Sequence, residues 1–291
     1  MKIARAHAAD GRRGWMLIDG KRARRIRAPF SIWAPRLLGD GPEILDLDGE
    51  TVDLAGLRLL PPVDPSARVF GVGLNYLSHL TRLGRKEAPP HTIAYIKPES
   101  ALVEPDGVIQ YPAVTGQLDY EIELVAVVAR PLADEEDATA CLLGFTIGND
   151  VSARDAGKML GSLDLFTQKA LDRTAPAGPW IATLDEFGGA GQPQLDMTLR
   201  INGEVRQHDN TRNMIFPLAE LLNFVDARVT LRPGDLLFTG STCGVGLEDG
   251  RFLTPGDRIE AEIEGIGVLR NLVGPQRTLP ARRRAGRLGI P

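Results

Sequence analysis

Apolar and polar positions along this chain follow a two-residue period in most places and a helical one in few. Tyr120–Ala129 (YEIELVAVVA) carries the strongest strand signal, because its first half alternates and its second half is continuously apolar. Val69–Gly73 reads as a strand entering a loop, Thr92–Lys97 as a strand ending at Pro98, and Leu142–Gly148 as another strand. Leu195–Asn202 alternates, and Asn202-Gly203 turns it into Glu204–Gln207, a pairing that favours a tight hairpin. Asp235–Thr239 and Arg258–Ile263 are strands that each follow a Pro-Gly-Asp corner. Helical spacing is confined to a short stretch at Asn75–Arg82, with Asn75 as N-cap, and to Met214–Phe224, where Ile215, Leu218, Leu221, Leu222 and Val225 share one face.

The opening residues form a different pattern. Gly14–Ile18 and Lys21–Ile26 flank Asp19-Gly20 and predict a hairpin. The cluster Lys21, Arg22, Arg24, Arg25 and Arg27 is basic but alternates with Ala23 and Ile26. It reads first as a solvated strand face and second as an anion site. Leu60-Pro61-Pro62-Val63-Asp64-Pro65 is a stiff linker, since proline fixes φ and resists helix. These features divide the chain into a small N-terminal domain over 1–65, a larger domain over 66–275, and a tail over 276–291 with five arginines. Many short strands and few helices predict an α+β fold that is mainly β.

Composition narrows the function classes. With 34 Lys+Arg against 38 Asp+Glu, the net charge is −4, which argues against a nucleic-acid binder. The 32 glycines and 21 prolines among 291 residues exceed the average share of roughly 12% and, without a collagen period, read as many tight turns. Cys141 and Cys243 make no disulfide scaffold. The opening MKIARAHAADGRRG lacks an apolar signal core, and no apolar run is long enough to span a bilayer. A cytoplasmic protein without a membrane partner is the expectation.

Candidate chemistry begins with Glu121-Ile122-Glu123. On a strand, residues two apart share a face, so two carboxylates project side by side. Their repulsion is relieved by a divalent cation of the oxygen-loving kind, Mg²⁺, Ca²⁺ or Mn²⁺. Two surface glutamates on a solvated strand are the plainer reading. Asp150 ends the apolar Leu142–Ile147 run and offers a third acid, or a turn aspartate. Three acids would leave positions open for water or substrate oxygens. Among four histidines, His79 follows the glycine-containing Gly71–Tyr76 stretch and can accept a proton near neutral pH. Lys169 follows an apolar run, Leu163–Phe166, and either fixes a carboxylate or reaches solvent. Gly240-Ser241-Thr242-Cys243-Gly244-Val245-Gly246 is either a cradle for a substrate carboxylate or a wide turn, and it lacks the Gly-Lys-Ser/Thr ending of a phosphate loop.

In series, these pieces resemble the fumarylacetoacetate hydrolase family. The matching stretches are Val72–His79 (with Tyr76), Tyr95-Ile96-Lys97-Pro98, Asp119–Leu124, Gly148–Asp155, Lys169 with Asp172 and Pro176–Pro179, Pro233–Gly246, and Gly256–Gly267. The resemblance covers roughly residues 68–273. It implies a catalytic domain of curled mixed β-sheets behind a small variable N-terminal domain, a homodimer, and Mg²⁺ or Mn²⁺ held at Glu121, Glu123 and Asp150. It further implies His79 as activator of water, Lys169 and Arg154 as substrate-holding and charge-stabilising groups, and Tyr76, Lys97, Gly240 and Ser241 at the substrate. Ser241 stands where the family usually has threonine, so the hydroxyl survives. Two positions depart from the pattern. Arg82 occupies the place of a glutamate that pairs with the histidine in acylpyruvate hydrolases, and an arginine accepts no proton; Glu87 is a candidate substitute. Gly157 replaces a glutamine.

The expected chemistry is stabilisation of an enolate beside a 2-oxo acid. Hydrolysis of an acylpyruvate-type C–C bond is the first expectation. An isomerase, tautomerase or decarboxylase of 2-hydroxydienoate or oxaloacetate-type acids is the alternative, motivated by Arg82 and Gly157. A non-catalytic binding protein is the third. The substrate-selecting segments are expected at Leu80–Pro90 and Gly157–Thr167.

Overall fold

Residues 2–60 build five strands around one helix: β1 (Lys2–His7), β2 (Arg13–Asp19), β3 (Arg22–Ile26), α1 (Phe30–Asp40), β4 (Leu47–Asp53) and β5 (Arg58–Leu60). The computed structural model describes residues 1–7, 11, 13–85, 87–134, 137–156 and 164–278. Gly157, the 157–163 part of the expected substrate-selecting segment and most of the 276–291 tail lie outside the described residues. The β2–β3 hairpin forms, but Asp19 pairs with Arg22, so the two loop residues are Gly20 and Lys21. The turn falls one residue later than Asp19-Gly20 because Gly20, at φ +55°, takes the left-handed position that side chains resist.

The chain continues through β6 (Val69–Gly73), α2 (Leu77–Arg82), β7 (Ile93–Lys97), β8 (Leu102–Val103), β9 (Val108–Tyr111), β10 (Leu118–Asp119) and β11 (Ile122–Val128). It then forms β12 (Leu142–Asn149), β13 (Ser152–Ala153), α3 (Leu165–Lys169), β14 (Ala175–Thr183), β15 (Asp196–Ile201) and β16 (Glu204–Asn210). The last elements are α4 (Leu218–Asp226), β17 (Leu236–Phe238), α5 (Gly246–Asp249), β18 (Arg258–Ile263) and β19 (Gly267–Gln276). The main sheet runs β4-β3-β2-β1-β14-β12-β11-β17-β6-β7, with β5 beside β1 and β8 beside β14; a second sheet runs β16-β15-β18-β19-β9. The β17–β6, β14–β8 and β19–β9 pairs are parallel and their neighbours mostly antiparallel, so both sheets are mixed. Residues 1–65 continue the main sheet, with β1 hydrogen-bonded to β14.

The two sheets share one core. Phe70, Leu124, Ala126 and Ile147 from the first meet Met197, Leu199, Ala261 and Leu269 from the second. Every residue of β11 and β12 is buried, which is why their sequences are largely apolar, with Glu123, Thr146 and Asn149 as polar exceptions. A second core on the other face of the main sheet takes Val125, Val127 and Phe238 together with Phe30 and Trp33 of α1. The fold is thus mainly β, as the pattern of short runs predicts. Among the described residues no helix is long and apolar enough to cross a membrane.

Two helix expectations shift. The apolar face expected from Met214 starts only at Leu218, after Pro217 as N-cap, because a residue before proline avoids helical backbone. Met214 instead bridges to Tyr76. Asn75 does not cap α2. Its side chain donates to Thr239 O at 2.8 Å and accepts from Phe216 N at 2.8 Å, tying the loop before α2 to the end of β17.

Candidate active site

The antiparallel pairing of β11 with β12 assembles the acidic residues. Ile122 faces Asn149 and Glu123 faces Gly148, and Asp150 N donates to Glu121 O at 2.9 Å. Glu121, Glu123 and Asp150 therefore converge at one end of two central strands. Each offers an oxygen, and these lie within 4.8 Å of one another, all buried. The plainer reading of Glu121 and Glu123 as solvated surface residues does not describe this site.

Three cations surround the carboxylates. Lys97 Nζ donates to Asp150 Oδ1 at 2.5 Å and to Lys169 O at 2.6 Å. Lys169, at the end of α3, donates to Asp150 Oδ2 at 2.6 Å and to Glu121 Oε2. Arg154 donates to Glu121 Oε1 and, at 2.8 Å, to Asp119 Oδ2. Tyr95 OH also donates to Asp150. Tyr95 and Lys97 are two residues apart on β7 and so reach the same carboxylate from one strand face. That period was present in the Tyr95-Ile96-Lys97 stretch, so Tyr95 is a site residue the sequence could have yielded. A second missed residue, the acid Asp119, accepts from Arg154 Nε and from the amides of Gly246 and Leu247 at 2.8, 2.6 and 3.0 Å, joining the cluster to the start of α5.

These contacts set the charge states. Burial opposes ionisation of Glu121, but Arg154 and Lys169 outweigh it and hold the carboxyl below its ordinary value. Burial likewise opposes ionisation of Asp150, and Lys169 and Lys97 pull it well below the usual carboxylate range. Glu123 goes the other way: burial, with Asp150 and Glu121 adding to it, pushes its carboxyl well above normal. Burial lowers Lys97, whereas Asp150 and Glu121 overcome burial and raise Lys169. The difference follows from partners: Lys169 bridges two carboxylates and Lys97 touches one.

His79 sits on α2 with its ring buried. Its Nδ1 lies 2.9 Å from Glu248 Oε1, while Glu248 Oε2 accepts from Gly244 N at 2.8 Å. The acid that partners His79 is thus Glu248 on α5, and Glu87, the candidate from sequence, is exposed. With a carboxylate at Nδ1, the proton belongs on Nδ1 and the lone pair on Nε2. His79 lies close enough to Glu121 to act on its carboxyl electrostatically. Tyr76 is buried nearby, and its hydroxyl has no hydrogen-bond partner.

The glycine-containing loop contributes through its backbone. Gly240 N donates to Glu123 Oε2 at 2.7 Å. Ser241 Oγ donates to Ile122 O at 2.9 Å and accepts from Gln207 Nε2 at 3.0 Å. Both groups brace β11 at the site, and their donors are engaged by the protein rather than turned toward a ligand. Gln207, fully buried, is a further residue that local sequence did not single out. Its Oε1 accepts from Ile122 N at 2.9 Å.

The donor set fits a divalent cation. Glu123 Oε1 is buried without a hydrogen-bond partner, an expensive state for a carboxylate oxygen. All three acids offer oxygen, the preference of Mg²⁺ and Mn²⁺. Counting Asp119, four carboxylates face three cations, so a divalent ion would turn the local balance positive and suit an anionic substrate.

Comparisons with known proteins identify the family. The family described as fumarylacetoacetate (FAA) hydrolase C-terminal matches residues 68–274. A mitochondrial oxaloacetate tautomerase of Bos taurus is 37% identical over 221 residues, covering 75% of this chain and 69% of that protein. The crystal structure of a 2-hydroxyhepta-2,4-diene-1,7-dioate isomerase from Mycobacterium marinum superposes with a TM-score of 0.75 at 32% identity, covering 94% of this chain and 98% of that one. A fumarylpyruvate hydrolase from Pseudomonas aeruginosa, solved with Mn²⁺ and pyruvate, gives a TM-score of 0.64 at 29% identity over 79% of this chain and 93% of that one. The matched span contains Glu121, Glu123, Asp150, His79 and Lys169, and the chain belongs to the fumarylacetoacetate hydrolase family.

Proposed function

We propose that this protein is a divalent-metal-dependent tautomerase or isomerase of 2-oxo acids of the oxaloacetate type. The observation that carries the reading is the buried Glu121–Glu123–Asp150 cluster, with an unpartnered Glu123 oxygen, beside a histidine whose Nδ1 is engaged by Glu248. The names of the Bos taurus tautomerase and the Mycobacterium marinum isomerase support it over hydrolysis, the first expectation from sequence.

Glu121, Glu123 and Asp150 would hold the cation, Mg²⁺ or Mn²⁺, which supplies a Lewis acid for the carboxylate and 2-oxo oxygens of a bound acid. The remaining steps belong to the protein. His79 Nε2 removes the proton from the carbon beside the 2-oxo group, and Glu248 at Nδ1 stabilises the imidazolium that results. Protonation at the 2-oxo oxygen completes the keto-to-enol direction; in the reverse direction the enol hydroxyl loses its proton and the carbon takes one from the protonated His79 Nε2, which gives the keto form. Lys169 has three donors, of which two are engaged by Glu121 and Asp150; the third is free to hold an anionic substrate. Arg154 keeps Glu121 ionised and in place, where it would hold the cation.

One observation favours hydrolysis as a second reading. Glu248 restores the acid partner whose absence at Arg82 counted against water activation, and the same His79 Nε2 can take a proton from water. A single comparison separates the two. With Mg²⁺ or Mn²⁺, the protein is expected to accelerate enol-to-keto conversion of oxaloacetate, read as loss of enol absorbance in the ultraviolet, and to release no pyruvate from acylpyruvates. Glu248→Gln is expected to slow the conversion roughly 100-fold, the scale of a general-base contribution. A buffer-level rate with oxaloacetate, together with pyruvate release, overturns the tautomerase reading in favour of the hydrolytic one.

A further inference from the structure

Asp209, the next-to-last residue of β16, lies outside the cluster around the metal ligands, yet its carboxylate ties together the two segments that flank the site. Oδ2 accepts from Ser78 Oγ at 2.7 Å and from Thr242 Oγ1, and these two hydroxyls lie 3.1 Å apart. Oδ1 accepts from Asn213 Nδ2 at 2.6 Å and from Asn210 N at 2.8 Å. Ser78 immediately precedes His79 on α2, and Thr242 immediately follows Ser241 in the loop whose Gly240 amide holds Glu123. The unpartnered Tyr76 phenol stands in the same region. Burial, then Glu123, then Asp209 push its ionisation well upward, so this ring lies within the field of both carboxylates.

The helix that carries His79 needs such a tie. α2 has six residues, and its N-cap, Tyr76, makes no side-chain cap hydrogen bond. A helix this short is marginal by itself and takes its place from tertiary contacts. His79–Glu248 fixes the imidazole to α5. The Ser78–Asp209–Thr242 junction fixes the helix backbone to β16 and to the loop.

We propose that Asp209 is a positioning residue: it holds α2 against the 240–246 loop and thereby sets His79 relative to Glu121, Glu123 and Asp150. The inference rests on the proton-transfer role proposed for His79. Ser78 and Thr242 are the two arms of the tie. Asparagine at 209 keeps one acceptor oxygen and loses the other, whereas alanine loses both.

The test uses the full chain with Mn²⁺. Asp209→Ala, Asp209→Asn and Ser78→Ala are compared by kcat and KM on oxaloacetate, by thermal midpoint, and by the rate at which diethyl pyrocarbonate modifies His79. His7, His91 and His208 are replaced by glutamine for that last measurement. For Asp209→Ala, kcat is expected to fall roughly 10- to 100-fold, the scale of a small displacement of a reacting group, with KM within about threefold. His79 is expected to be modified several-fold faster, and Asp209→Asn to recover much of both losses. An unchanged kcat, or a lowered kcat with an unchanged modification rate of His79, overturns the proposal. If Asp209→Ala fails to fold, Ser78→Ala, which removes one arm of the tie, decides by the same two readouts, with a lowered kcat and a faster modification of His79 expected. If the unmutated chain leaves oxaloacetate untouched, the tautomerase reading fails, and the modification rate of His79 alone decides the positioning.

Discussion

Glu123 differs from the two acids beside it in having one oxygen held by a backbone amide and the other held by nothing. Glu121 and Asp150 meet cations directly; Glu123 has none in hydrogen-bond contact. Burial and the two neighbouring carboxylates therefore raise its ionisation well above the reference 4.5. The folded, metal-free chain binds this proton more tightly than the unfolded chain does. That contribution to stability is fully present below about pH 4.5 and is lost as pH rises through the raised value. A divalent cation needs the ionised form, so its binding releases the proton. Affinity for Mn²⁺ is expected to rise roughly tenfold per pH unit while Glu123 remains protonated, and then to level off. Titration calorimetry in two buffers of different ionisation enthalpy measures the released proton. Glu123→Gln should abolish it, and an affinity independent of pH from 5 to 8 would falsify this account.

At the scale of elements, the pairing of β6 with β7 does more than extend the sheet. Gly71 faces Tyr95 across the two strands, and a Cβ on Gly71 would lie 2.4 Å from the Tyr95 ring. The glycine is what lets that ring lie flat enough for its hydroxyl to reach Asp150. Gly71→Ala is expected to cost about 1–3 kcal/mol, as overpacking does, and to weaken Mn²⁺ binding by displacing Tyr95. Gly73, on the same strand, has nothing within 4 Å of a Cβ, so Gly73→Ala should leave Mn²⁺ affinity unchanged. Equal losses for both variants would show a generic strand effect. These strands were legible in the sequence because a half-buried or fully buried strand writes its burial into a period of two or into an apolar run. The Asn202-Gly203 turn was legible for a similar reason, since both residues take left-handed backbone at φ +52° and +86°. Helix starts were less so. Asn75 has the chemistry of a cap, yet its side chain is taken by Phe216 and Thr239, residues more than 140 positions away. No local pattern reports such a partner.

For the whole molecule, the same limit decides which parts of the site could be read in advance. Glu121 and Glu123 share a strand face, and Asp150 ends the next strand, so the acids follow from period and order. Lys97 and Arg154 entered through resemblance to a family, and Lys169 only as a lysine that either fixes a carboxylate or reaches solvent, since a lysine or arginine alone does not reveal which carboxylate it will meet. Glu248 escaped because 169 residues separate it from His79, and only the closure of the sheets brings α5 to α2. The site is therefore a product of the global fold: β7, β11, α3 and the residue that follows β12 each supply a charged group to one buried cluster. A ligand that binds only this assembled cluster stabilises everything that assembles it. Mn²⁺ at 100 times its Kd should add about 2.7 kcal/mol to stability, which for a chain of this size raises Tm by roughly 4–5 °C. A chelator should reverse the shift. Glu121→Gln and Glu123→Gln should suppress it, while Glu87→Gln, at an exposed position, should retain it in full. Because the three acids lie at the ends of β11 and β12 in the middle of the main sheet, the melt should move as one cooperative transition, by circular dichroism and by tryptophan fluorescence alike. A Tm that stays fixed at saturating Mn²⁺ would mean that the three acids do not form a metal site, and with it the proposed enolate chemistry would lose its electrophile.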